Sequence, residues 1–433
     1  MFSQLYRQTD VLLSGGQLHG RRDFLRRISA TGLAAGTLSW TDLMAAQSSR
    51  LRRNGKACIL LWMNGGPSQF ETFSPLPEHP NGGETKAIST KVPGIAISEH
   101  LPETSQKVDD LCILRSMTTK EGSHPRATFL MHTGYVPTAS VRHPSIGSVA
   151  AHQLGDLSAD LPSYVRIGRN VRNAGGGGLL GVQYDPFVMR RPERAPDNSE
   201  LIVSSDRFRR RLRLLDKIDQ HYAAAGGANE VANHKQIYDQ ASRMVLSPRM
   251  SVFDVDDEPA RVRQSYGESD FSTSCLMARR LVEAGVTFVE VSMGGWDTHQ
   301  DNFSRTQNLC SQLDQGYAQL LADLQQRGRL ENTLVIWMGE FGRTPRINGG
   351  GGRDHFPRVF NAVLSGGGVK GGQFVGATDL GGEEVTERPI SIQDLFQTVC
   401  HLMDMNADDE NMSSIGRPIR VVDGGEVIEE VLA

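Results

Sequence analysis

The chain has 433 residues, of which 46 are basic and 50 acidic, giving a formal net charge of −4 at pH 7. That balance gives no strongly basic face and argues against a nucleic-acid partner. With 38% hydrophobic and 22% charged residues, the chain can bury one large core or two small ones.

The first organised stretch is Arg21-Arg22-Asp23-Phe24-Leu25-Arg26-Arg27. A weakly apolar run from Ile28 to Trp40 follows, then small residues at Ala45-Ala46. Paired arginines ahead of a mild apolar run resemble a twin-arginine export signal. The run is too short and too rich in Gly, Ser and Thr to span a bilayer. Residues 1–46 are therefore expected to engage the twin-arginine export machinery and to direct the chain to the periplasm or the exterior. Residues 47–56 read as a linker, and 57–433 as the folded domain.

Ala57 to Met63 is an uninterrupted apolar run, the pattern of a central parallel strand. It breaks at Asn64-Gly65-Gly66-Pro67-Ser68, and Glu71 follows before a proline-rich loop. Leu111 to Ser116 is a second strand. Ser123-His124-Pro125-Arg126 opens a helix reaching His132, with proline well placed near the start. Ser145 to Leu154 reads as a helix and Ser163 to Ile167 as a strand. The glycines 175–178 lack the grammar of a phosphate loop, which argues against nucleotide binding. Arg207 to Ala225 and Glu230 to Leu246 are charged amphipathic helices within an insertion spanning 190–260. The five arginines between 207 and 213 read as a solvated face.

Phe271 to Ala284 is a helix feeding the strand Val286 to Ser292, and Asp301 to Arg327 a helix feeding Thr333 to Trp337. This repeated order predicts an α/β fold, a doubly wound and mostly parallel sheet with helices on both faces. Phe360 to Leu364 is a further strand, Ile392 to Met403 a last helix, and Val421-Val422 an expected edge strand. Cys58, Cys112, Cys275, Cys310 and Cys400 show no zinc spacing. They read as small buried residues with at most one or two disulfides. No internal repeat and no integral membrane span is expected.

Two of these strands end in the same chemistry. The first runs into Gly294-Gly295-Trp296-Asp297-Thr298-His299. The second runs into Gly339-Glu340, and the glycines 349–352 then form a loop able to return Asp354-His355 toward Glu340. The carboxyl edge of an open α/β sheet is where ligands bind. The expected metal donors are Glu71, Asp297, His299, Glu340, Asp354 and His355. Such mixed donors suit Zn²⁺, Mn²⁺ or Fe, and with more oxygens Mg²⁺ or Ca²⁺. Six donors are enough for two ions.

These segments together resemble the DUF1501 family. They are Gly65-Gly66-Pro67-Ser68 with Glu71-Thr72-Phe73, His124-Pro125-Arg126-Ala127 with Thr133-Gly134-Tyr135, Gly294 to His299, Gly339 to Pro345, and Gly352 to His355. The resemblance covers Ala57 to the C-terminus. It implies a relative of the alkaline phosphatase and sulfatase superfamily, commonly exported by the twin-arginine route. It implies that Asp297 and His299 match a ligand pair, that Glu340 stands where a carboxylate ligand follows a strand, and that Asp354-His355 stands at a late ligand position. Asn64 occupies the place of the superfamily's first carboxylate ligand, and Glu71 is its expected replacement. Ser123 is the candidate nucleophile, with a helix N-cap as its other reading. His124 is a candidate ligand or general acid, and Arg126 a candidate oxyanion binder. Arg343 is a candidate substrate anion binder, or else an ion pair that orients Glu340. His132, His152 and His221 read as structural.

The reading is an exported metal-dependent hydrolase of sulfate or phosphate esters, acting on a small-molecule or glycan ester. The competing class is a non-catalytic, metal-stabilised binding or cell-surface module of the same fold.

Overall fold

The computed structural model describes Leu12–Leu13, Gln17–Leu18 and residues 55–433, except 169–171 and 414–415. The chain divides into two units, Met1–Asn54 and Gly55–Ala433. In the first, Leu12–Leu13 and Gln17–Leu18 form a short antiparallel pair. The export segment expected over residues 1–46 lies, apart from that pair, outside the described residues.

The second unit is built on eight strands. These are β1 (Ala57–Asn64), β2 (Leu111–Met117), β3 (Tyr164–Ile167), β4 (Phe187–Met189), β5 (Phe288–Gly294), β6 (Thr333–Met338), β7 (Phe360–Ser365) and β8 (Gln373–Val375). They lie in the order β8-β2-β7-β6-β1-β5-β3-β4. Only β7 runs against its neighbours; the other pairings are parallel.

β1 is central because it is apolar at every position but its last, and so fits only where both faces are covered. Its alternation divides two cores. Ile59, Leu61 and Met63 face helices α5 (Asp270–Glu283) and α6 (Asn302–Gln326), meeting Leu276, Leu281, Leu313 and Leu320. Cys58, Leu60 and Trp62 face α1 (His124–Thr133), α2 (Ile146–Leu154) and α7 (Ile392–Leu402), meeting Leu130, Val149 and Leu395. The sheet is thus wound on both faces. The register pairs Asn64 with Gly294 and Met338 with Trp62, which sets the carboxyl ends of β1, β5 and β6 side by side.

Residues 205–246 form the helices α3 (Ser205–Tyr222) and α4 (Ala228–Leu246). α3 buries no residue, as its charge density implies. No helix among the described residues is long and apolar enough to cross a membrane.

One expectation needs correction. Val421 and Val422 do not form an edge strand. Their N–H groups bond the carbonyls of Asp409 and Ala407, and their side chains pack in the α7 core. The sheet's edges are instead Gln373–Val375, paired with β2, and Phe187–Met189, paired with β3. The five cysteines are buried free thiols, in keeping with their reading as small buried residues.

One buried ion network ties α1 to the sheet. Glu290 on β5 and Arg166 on β3 are cross-strand partners, both buried, 2.9 Å apart. Tyr164 Oη donates to Glu290 at 2.6 Å, and His132 Nε2 on α1 stands 3.5 Å from the other carboxylate oxygen. Burial opposes ionisation of Glu290, but the charges of Arg166 and His132 and their bonds override it and hold the carboxyl down at about 2.

Glu290→Gln should therefore destabilise the protein by about 3–5 kcal/mol in urea unfolding at neutral pH, since it strands a buried guanidinium. A depressed carboxyl stabilises above its unfolded value and loses that contribution as pH falls through the folded value. Wild-type stability should fall steeply between about pH 4 and 2, and the variant should show a shallower acid limb.

Candidate metal centre

The site forms where three strand-end loops meet. Gly65, just past β1, has φ 118° and backs against the loop after β5. A Cβ there would stand 2.5 Å from the Asp297 nitrogen, so only glycine allows the approach. The loop after β6 is held as a two-residue antiparallel ribbon that pairs Arg343 with His355. The glycine-rich turn folds around Asn348, whose side-chain oxygen accepts from the N–H groups of Gly350 and Gly352. Asn348 Nδ2 also donates to the His299 carbonyl at 2.9 Å. A Cβ at Gly352 would collide with that carbonyl. The turn therefore delivers Asp354 and His355 to His299, 55 and 56 residues away in sequence.

Three imidazoles surround Asp297. His299 Nε2 and His355 Nε2 stand 3.2 and 3.3 Å from its Oδ1 and 3.0 Å from each other. His124 Nε2 stands 3.3 Å from its Oδ2. Each ring's other nitrogen is already engaged. His124 Nδ1 meets Glu340 Oε1 at 2.7 Å, His299 Nδ1 meets Asp354 Oδ1 at 2.8 Å, and His355 Nδ1 meets the Gly122 carbonyl at 2.8 Å. A carboxylate and a carbonyl only accept, so each Nδ1 carries the proton and each Nε2 presents a lone pair. That is the arrangement of metal-ligating histidines, with an outer acceptor fixing tautomer and orientation.

The separations fit an ion. Two donors each about 2.0–2.1 Å from one cation stand about 3.0–3.4 Å apart, the range seen between the His299, His355 and Asp297 atoms. His124 Nε2 is buried and has no hydrogen-bond partner. Donor atoms of His124, Asp297 and His355 lie within 4.8 Å of one another.

The electrostatics follow from the contacts. Burial opposes ionisation of Asp297, but the bond and charge of Arg343, with His124 and His299, hold its carboxyl down at about 2. Burial, with Arg343 and His124 nearby, lowers the His355 value, which keeps its Nε2 lone pair free. The bond to Glu340 raises the His124 value despite partial burial.

Several expected site residues lie elsewhere. Glu71 does not join the donors. It is fully buried and binds Arg353, also fully buried, at 2.8 Å. Glu340 stands behind His124, where its Oε1 also accepts from the Gly65 N–H at 2.9 Å. Asp354 stands behind His299 in the same way. Arg126 turns outward into a two-pronged pair with Glu121 at 2.7 and 2.8 Å. Arg343 is fully buried, so it cannot bind substrate. Its guanidinium donates to Asp297 and to the carbonyls of Gly65, Gly66 and Arg353. Ser123 occupies the N-cap position of α1, but its exposed hydroxyl makes no capping bond. It makes no hydrogen bond to the donors among the described residues. Sequence reasoning missed the Gly122 carbonyl and the pairing of Glu71 with Arg353, which no spacing rule encodes.

Residues 55–432 match the family described as "Protein of unknown function (DUF1501)". Comparison with curated proteins finds no match. Among solved structures, the chain is similar to the PsFucS1 sulfatase from Pseudoalteromonas sp., at 13% identity over 83% of this chain and 71% of that one, TM-score 0.37. It is similar to a phosphonate monoester hydrolase of Agrobacterium radiobacter, at 12% identity over 87% and 77%, TM-score 0.38. It is also similar to a protein in the alkaline phosphatase superfamily from Vibrio parahaemolyticus, at 10% identity over 88% and 71%, TM-score 0.41.

Metal titration by calorimetry should find a divalent-ion site lost in His355→Ala and Asp297→Asn. Glu340→Gln and Asp354→Asn, which remove only the outer acceptors, should weaken it about 10–100-fold. Glu71→Gln should keep the site yet cost about 3–5 kcal/mol of stability by stranding Arg353.

Proposed function

The chain belongs to the DUF1501 family, and from this donor set we propose that it is an exported, metal-dependent hydrolase of sulfate or phosphate esters. The convergence of three Nε2 lone pairs on one carboxylate carries the reading. A donor set this rich in imidazole suits Zn²⁺, Mn²⁺ or Fe better than Mg²⁺ or Ca²⁺, which favour oxygen.

Beside the donors opens a cleft of about 480 Å³, lined in part by Asn64, His124, Thr128 and Asp297. That volume suits a small ester with its organic group. A divalent ion held there would polarise an ester oxygen and acidify water. The protein's own residues prepare the rest. Arg343 keeps Asp297 ionised and in place. Glu340, Asp354 and the Gly122 carbonyl hold the three rings with Nε2 inward. Asn64 sets a neutral amide at the end of β1, where a carboxylate would repel an anionic ester. With Ser123 absent from the cleft lining, the attacking group in this reading is water.

The same absence of Ser123 favours a second reading, a metal-stabilised module without turnover. Metal-loaded protein should hydrolyse an aryl phosphate or an aryl sulfate. His355→Ala should cut kcat/KM by at least about a thousandfold, and Arg126→Ala should leave it unchanged. Bound metal with no turnover of either ester would establish the module instead. Export belongs to the same proposal: lysines in place of Arg21 and Arg22 should keep the full chain in the cytoplasm on cell fractionation.

A further inference from the structure

We infer that Arg172 is the residue that grips the substrate's oxyanion, an assignment that rests on the ester-hydrolase reading of the cleft. Other arginines near the site are committed. Arg305 donates to the carbonyl of the cleft-lining Gly295. Arg126 is paired with Glu121. Arg343 is buried against Asp297 and three backbone carbonyls. Arg353 is buried against Glu71 and the carbonyls of Asn81, Thr344 and Pro345. Arg172 is exposed, lines the cleft together with His124 and Asp297, and makes no hydrogen bond or ion pair among the described residues.

The backbone explains its position. Asn173, which also lines the cleft, has φ 63°, a left-handed turn that asparagine tolerates better than most residues. The glycine-rich segment that follows is an anchor. Gly177 N–H donates to Asp185 Oδ1 at 2.6 Å, and the Gly176 carbonyl accepts from Ser145 N–H at 2.9 Å, at the start of α2. A Cβ on Gly177 or Gly178 would collide with the carbonyl of Gly181 or Arg142. This run fixes the end of the segment bearing Arg172.

Charge balance supplies the need. Among the described residues, Asp297, Glu340 and Asp354 are opposed by one guanidinium, that of Arg343. A divalent ion would bring this cluster to neutrality, leaving nothing to attract an anionic ester. Arg172 supplies that positive charge, and its planar fork matches two oxygens of a sulfate or phosphate group.

The test uses the metal-loaded full chain, with inorganic phosphate and inorganic sulfate as calorimetric probes at low ionic strength. Arg172→Ala should weaken binding of the preferred anion about tenfold or more, and Arg172→Lys should recover only part of it. Arg126→Ala should bind as wild type. In ester kinetics Arg172→Ala should raise KM, and thermal unfolding should not change, because the side chain is exposed. Equal anion affinity in wild type and Arg172→Ala overturns the assignment even if esters are hydrolysed. Loss of anion binding in Arg172→Ala, in a wild type that turns over no ester, supports the anion site and sinks the hydrolase reading alone.

Discussion

The contact between Arg343 and Asp297 is the one on which the site depends. The guanidinium is wholly buried, and an uncompensated charge there would be very costly. It is compensated by one carboxylate and by carbonyls from two other loops, those of Gly65 and Gly66 and that of Arg353. One side chain thereby joins the segments after β1, β5 and β6. Burial lowers the proton affinity of Arg343, and the Asp297 bond and charge oppose that. Aspartate and arginine each keep the other charged. Asp297 can then present both oxygens to imidazoles without rotating away.

A second buried charge network steadies the same site from below. α1 carries His124 near its start and His132 near its end. His132 Nδ1 bonds the Thr128 carbonyl at 2.7 Å, its ring lies 4.2 Å from that of Trp62, and its Nε2 faces Glu290. The helix that brings His124 to the donors is thus fastened to β1 and β5, the strands whose loops supply Gly65 and Asp297. Helix and loops share one foundation, which holds the 3.3 Å approach of His124 to Asp297.

The sheet was legible because burial on both faces writes itself as unbroken apolar runs. Ala57–Asn64 and Thr333–Met338 are such runs. Val421-Val422 misled because a buried β-branched pair reads alike whether it lies in a strand or under a helix. In the site, Asp297, His299 and His355 were readable because glycine beside Asp and His at a strand's end is an uncommon combination. The roles of the other charged residues were not. Spacing says where a carboxylate sits along the chain, not which cation it faces, so Glu71 read as a ligand although Arg353 holds it. Arg172 carried no such signal, since what marks it out is that it makes no hydrogen bond or ion pair among the described residues.

The cluster around Asp297 holds more acceptors than donors. His124, His299 and His355 have all given their Nδ1 protons to outward acceptors. What remains inside is three lone-pair nitrogens and a carboxylate to which, among the described residues, the Arg343 guanidinium donates. Hydrogen bonding could rescue it only by protonating the rings. Two rings cannot share one proton with a third and also satisfy Asp297, so more than one imidazolium would be needed. Burial and the Arg343 charge oppose that at His355, and the 3.0 Å gap between His299 and His355 opposes it for that pair. A divalent ion held by His124, Asp297 and His355, whose donor atoms lie within 4.8 Å of one another, would relieve these conflicts, because lone pairs that repel one another would bind one positive centre.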